Sequence, residues 1–260
     1  DKNALLMFAG NAVALALTSC LLVALVPETL DRAQAAPELP EETSPTGEGS
    51  SEAAREGGIF KALGRSPIVI AFAFVVALMN IVYAQGQFGL PIFLEKSFGA
   101  EGPRLFGRAM TINGLTVVAA TAFVTALSGS LHPLVNMAFA SALYALGFGL
   151  LSLVAPASSN GSFIVALSTV IWTLGEILSA TNSNVFIASK APRTHRSRFN
   201  SAVSWLTSMG SMLAPLIAGA YMASRGLNSM WRLAALLGLS AAILMIFLFA
   251  AETKKRRPAA

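Results

Sequence analysis

The chain has 260 residues, of which 55% are hydrophobic and only 12% charged, against about 25% charged in an ordinary soluble domain. The charges gather between long apolar stretches, which is the composition of a multi-spanning membrane protein. The net charge of +5 therefore marks loop topology rather than a nucleic-acid footprint.

A membrane-crossing helix needs about 20 apolar residues to cover the hydrocarbon layer. Seven segments qualify, at roughly 4–26, 68–93, 109–131, 133–155, 163–189, 200–223 and 232–251. The first begins almost at Asp1, with no charged leader and cleavage site ahead of it, so it does not read as a signal peptide. The missing initial Met reads as a fragment or a processed chain. Its single cysteine, Cys20, excludes an intrachain disulfide and is expected as a buried small hydrophobe.

Residues 27–66 form a linker. APELPEETSPTGEGSSEAAREGG (36–58) is rich in Pro, Glu, Ser and Gly and too poor in apolar groups to order itself. IFKALGRSP (59–67) is basic and amphipathic and suits the membrane surface. If the linker is cytoplasmic, twelve of the 18 Lys and Arg residues fall on the inside, among them Lys190 and the C-terminal KKRR. That asymmetry favours this orientation. The expected organisation is thus a last helix of a preceding bundle (1–26), a cytoplasmic linker (27–66), a six-helix bundle (67–251) and a basic cytoplasmic tail (252–260). An isolated helix ahead of a linker implies a missing N-terminal bundle.

Polar residues inside a membrane must face protein or water. In the second span, Asn80, Tyr83 and Gln87 share a face at spacings of three and four, while Gln85 points elsewhere. Gly86, Gly89 and Pro91 loosen the helix just beyond. The third span contributes Asn113. The fourth, with Asn136, Ser141 and Tyr144, reads as helix packing, and His132-Pro133 ahead of it as a tight antiparallel turn. The fifth contains Glu176 as its only charged side chain, with Trp172, Thr173 and Ser179 on the same face. An intramembrane acid is by default a functional candidate, able to exchange a proton or meet a cationic ligand. The sixth carries Trp205 beside a row of serines. The last is almost wholly apolar and reads as lipid-facing.

No lysine lies deep enough in a helix for a retinal-type receptor. No His/Cys/carboxylate set suits a metal, and no embedded histidine is available to activate a serine. The chain reads as an all-α membrane protein, not an enzyme.

Three passages carry a resemblance. VYAQGQFGLPIFLEKSFG (82–99), LGEILSATNSNVFIASKAPRTHRSRFNS (174–201) and GSMLAPLIAG (210–219) resemble helices seven, ten to eleven, and eleven of the major facilitator superfamily. The drug-efflux-like branch is the nearest likeness. The resemblance implies seven transmembrane helices corresponding to helices 6–12 of a twelve-helix fold, in a plasma membrane such as a bacterial inner membrane. It departs from the family's pattern at Thr181-Asn182, where many members have proline, and in GSLHPLVNM (129–137), which has no acid or arginine. The implied activity is proton-coupled export of small amphipathic molecules, as a multidrug-like antiporter. Peptide or metabolite uptake is the alternative, and a non-transporting receptor or assembly protein the reading from another class. The implied coupling and substrate-binding residues are Glu176, Asn80, Tyr83, Gln87, Asn113, Trp172 and Trp205, with Arg193, Arg196 and Arg198 at a cytoplasmic gate. The implied partners are a small-molecule substrate, the lipid bilayer and the missing bundle, with no nucleic acid. No cofactor is expected, and a proton gradient supplies the driving force.

Overall fold

The computed structural model describes residues 12–13, 16–20, 24, 67–155, 160–190 and 196–256, with backbone only at 196–198 and 255–256. The chain divides into two compact units, residues 1–55 and 56–260. In the first, the described residues are helical and exposed, inside the predicted first span. Cys20, expected to be buried, is exposed there. The predicted linker 27–66 lies outside the described residues.

The second unit contains seven α-helices among its described residues. They are α1 (Pro67–Tyr83), α2 (Gln85–Phe98), α3 (Gly102–Ser128), α4 (Pro133–Leu150), α5 (Gly161–Lys190), α6 (Arg196–Arg225) and α7 (Ser229–Arg256). No strand occurs among the described residues. Five helical stretches are long and apolar enough to cross a membrane, and one of them, Pro67–Ser128, runs for 62 residues. At 1.5 Å per residue that would be about 90 Å, three times the hydrocarbon thickness, so it folds back on itself. The reversal is the 3₁₀ turn Gly99–Glu101. Gly99 adopts φ 57°, a conformation that only glycine enters at no cost. Counted as two arms, this 62-residue stretch brings the membrane-length helical arms among the described residues of this unit to six. The last helix continues to Arg256, so part of the expected basic tail is helical and Glu252 is buried. The helices overrun the apolar segments because hydropathy marks only the hydrocarbon layer, whereas helices also cross the headgroup region.

The single surprise within a span is at Ala84, where α1 ends and α2 begins. The side-chain amide of Gln85 donates to the Ile81 carbonyl and also to the Ala214 carbonyl on α6, both at 3.1 Å. The break precedes the glycines and Pro91 expected to loosen this helix, and α2 runs through Pro91 unbroken.

α5 packs on α3 and α4, α4 on α7, and α1 on α6 and α7. α4 and α5 approach each other closely. A Cβ on Gly147 would stand 2.8 Å from the Trp172 backbone nitrogen, and one on Gly175 2.9 Å from the Ala140 carbonyl. Small residues of this kind let membrane helices approach closely. The same pair of helices is tied by Asn136, which donates to the Asn182 side chain at 2.7 Å and to the Ser128 carbonyl at 2.8 Å. Both asparagines are buried. Asn136→Leu is expected to lower stability by about 1 kcal/mol, read as a fall in Tm of the protein in detergent.

The α3–α4 turn is capped by His132, whose Nδ1 accepts from the Leu134 N–H, with Pro133 in the first helical turn. At the same end of the bundle Lys190 on α5 pairs with the buried Glu252 on α7. His132 Nε2 lies 3.8 Å from the same carboxylate. The loop without an acid or arginine thus still reaches an ionic cluster, through its histidine. The apolar α7 leaves Leu236, Leu239, Ile243 and Phe247 exposed, in keeping with the lipid-facing position expected from its sequence.

Candidate functional site

Glu176 sits half-buried in the middle of α5. Both of its carboxylate oxygens are engaged from other helices. Tyr83, the last residue of α1, donates its phenol O–H to Oε1 at 2.7 Å. Asn113 on α3 donates Nδ2–H to Oε2 at 2.9 Å. One acid thereby joins three helices whose contributing residues lie up to 93 positions apart.

A cavity of about 210 Å³ opens beside it, lined by Met79, Asn80, Tyr83, Tyr144, Glu176, Ser179 and Ala180. Its walls are α1, α4 and α5. Asn113 and Thr173 stand on the other side of the carboxylate and do not line it. A larger groove of about 390 Å³ between α4 and α7 is lined only by apolar side chains such as Phe139 and Ile246. It has no group to orient a solute and suits lipid.

Of the residues singled out from the sequence, Glu176, Tyr83 and Asn113 meet directly, and Asn80 lines the cavity while donating to the Val76 carbonyl of its own helix at 3.1 Å. Trp172 is buried behind Tyr83. Their rings meet edge-on at 6.0 Å, and Trp172 stacks on Phe148 at 5.7 Å. It braces the cavity wall rather than facing the cavity. Gln87 is exposed and does not line the cavity. Its expected alignment with Asn80 and Tyr83 assumed a continuous helix, and the break at Ala84 interrupts that register. Trp205 is 67% exposed on α6 and does not line the cavity either. Beside it Ser208 donates to the Ser204 carbonyl within the helix, the ordinary resolution for a hydroxyl on a helix. Arg193 lies outside the described residues. Arg196 and Arg198 fall in the first turn of α6, where only backbone is described.

The sequence reading passed over Tyr144, treated as packing on the fourth span. It is buried against Tyr83, ring centroids 5.8 Å apart, and closes one wall of the cavity. Nothing in its spacing distinguishes a packing tyrosine from a cavity tyrosine, because that depends on how α4 rotates against α5. Thr173 and Ser179 lie on the Glu176 face, as helical spacing indicates. Among the described residues no group of His, Cys, Asp and Glu has the arrangement of a metal site.

Among solved structures, the chain is similar to a POT family transporter in complex with a thioalcohol-conjugated peptide, with a TM-score of 0.60 at 16% identity. The match covers 76% of this chain and 42% of that one, so the matched part spans less than half of that transporter. At this identity the likeness is one of fold. No curated protein matches the chain at a significant level. The family model of the Major Facilitator Superfamily matches residues 4–203, most of the chain. Helices of membrane length, an acid held between three of them and this match agree: the chain belongs to the Major Facilitator Superfamily.

Proposed function

We propose that the chain is the C-terminal half of an ion-coupled secondary transporter, and that Glu176 links proton or cation binding to the arrangement of its helices. The observation that carries this reading is the grip on Glu176 by Tyr83 and Asn113 at the edge of a cavity. The oxygens of an ionised carboxylate accept from both donors. A protonated carboxyl, or one pairing with a cationic solute, must surrender or reverse at least one of these bonds. Because the donors belong to α1 and α3, the exchange breaks or reverses a tie between α5 and one of them. Tyr83 adjoins the break at Ala84, so α1 can respond without α2 moving as a rigid extension. Binding at the midplane between two helical halves is how such folds alternate access, and the other half supplies the opposite wall.

The cavity lining is mostly apolar and aromatic, with a few polar points at Asn80, Tyr83, Tyr144 and Glu176. That suits small amphipathic solutes, and proton-linked export of such molecules is our preferred reading. A second reading, peptide uptake, is favoured by the fold neighbour, which was solved with a conjugated peptide.

The test uses the full-length protein in proteoliposomes under an imposed pH gradient, with tetraphenylphosphonium as a lipophilic cation and dialanine as a small peptide. Internal pH is recorded as each solute is added. Proton flux dependent on the cation supports export of amphipathic molecules, and flux dependent on the peptide supports uptake. Folded, oriented protein that moves no protons with either solute counts against proton coupling.

A further inference from the structure

The hydrogen bonds around Glu176 have a fixed direction. Thr173, three residues earlier on α5, is fully buried and donates its hydroxyl to the Thr169 carbonyl at 2.6 Å. A hydroxyl has one proton, so Thr173 Oγ1 can only accept from its other neighbour. That neighbour is Asn113, whose Nδ2 donates to Thr173 Oγ1 at 2.9 Å and to Glu176 Oε2 at 2.9 Å. Both amide protons are thereby used. Turning the carboxamide over would set Oδ1 against two acceptors, so the nitrogen is held toward Glu176.

The two edges of the carboxylate are therefore unequal. Oε2 faces a donor that presents an acceptor only if the carboxamide turns over and the Thr173 hydroxyl leaves the Thr169 carbonyl, so a proton is less well accommodated on Oε2 than on Oε1. Oε1 faces the Tyr83 phenol, which can both donate and accept. Tyr83 lines the cavity, and Asn113 and Thr173 do not. We infer that Thr173 is a positioning residue: acting through Asn113, it closes Oε2 and directs proton exchange to Oε1, the edge shared with Tyr83 and the cavity. When a proton from the cavity binds Oε1, the new O–H donates to the Tyr83 oxygen, and the phenol proton turns toward the cavity. No covalent bond to carbon changes, and the proton leaves by the reverse path. Besides Glu176, the titratable groups that the described residues place around it are Tyr83 on α1 and Tyr144 on α4. α3 contributes the neutral Asn113.

The inference rests on the reading of Glu176 as the coupling acid, and the experiment separates the two. The full-length protein is prepared as wild type, Thr173→Val, Thr173→Ala, Thr173→Ser and Glu176→Gln. Difference infrared spectra in proteoliposomes identify the Glu176 carboxylate as the band missing in E176Q, and this requires no transported solute. Loss of the hydroxyl in T173V frees the Asn113 amide and shifts that band, whereas T173S superimposes on wild type. In the flux assay, T173V changes the proton concentration at half-maximal flux by up to about tenfold, the effect of one neutral hydrogen bond, and T173S restores the wild-type pH profile. T173A makes the same test if valine disturbs packing. A band and profile unchanged in both T173V and T173A overturn the role of Thr173 while leaving Glu176 in place. Coupled flux that survives in E176Q overturns both.

Discussion

Glu176→Gln is expected to reduce solute-coupled proton flux to the level of protein-free liposomes while leaving the protein folded. Glutamine preserves the size of the side chain. It also preserves the contacts, because its carbonyl can accept from Asn113 and its amide can donate to the Tyr83 oxygen. The negative charge and the capacity to bind and release a proton are lost. Expression, elution volume and Tm should therefore stay close to wild type, and solute exchange at equal pH on both sides should persist. The measurement pairs an internal pH dye with solute uptake in the same vesicles. Proton flux that persists unchanged in E176Q would remove the residue from coupling and reduce its bonds to Tyr83 and Asn113 to a structural tie.

The second large effect concerns packing. Gly147→Leu is expected to destabilise the bundle by about 3 kcal/mol or more, near the upper end for overpacking. The first added carbon would meet the Trp172 nitrogen at 2.8 Å and Trp172 Cβ at 2.9 Å. These are backbone-anchored atoms on a packed helix, so α4 and α5 must separate. Trp172 braces Tyr83, and separation would also disturb the Glu176 bond. Loss of Tm and loss of coupling should appear together. Gly107→Leu is the control, since a Cβ there has nothing within 4 Å. A G147L protein as stable as G107L would mean the α4–α5 contact is looser than the geometry implies.

The proposed coupling acid and the close α4–α5 packing meet at one place in this chain, and the two variants approach it from different sides. E176Q removes the ionisable group and spares the scaffold, whereas G147L leaves that group in place and reaches it through the scaffold. Under the proposed function an opposite bundle closes the cavity, so these measurements belong in the full-length protein.

The membrane class, the helices and their alternating directions were legible in the sequence, because the energy of burying apolar side chains in lipid acts locally along the chain. Glu176 also stood out in the sequence, since a lone acid in an apolar helix of residues 161–190 has no local explanation. Helical spacing also found Tyr83 and Asn80 together. Tertiary structure alone decided what holds Glu176. Tyr83 and Asn113 lie 93 and 63 residues from it in the chain, and no spacing rule relates positions on different helices. Gln87, expected on the same face, does not line that cavity, for a related reason. A helical wheel presumes an unbroken ladder, and the ladder is interrupted at Ala84, where the Gln85 side chain bonds the Ile81 and Ala214 carbonyls. Tyr144 and Trp172 exchanged roles, one packing residue becoming cavity wall and one cavity residue becoming its support. The rotation of α4 against α5 sets both, and that rotation is governed by where Gly147 and Gly175 let the two backbones touch.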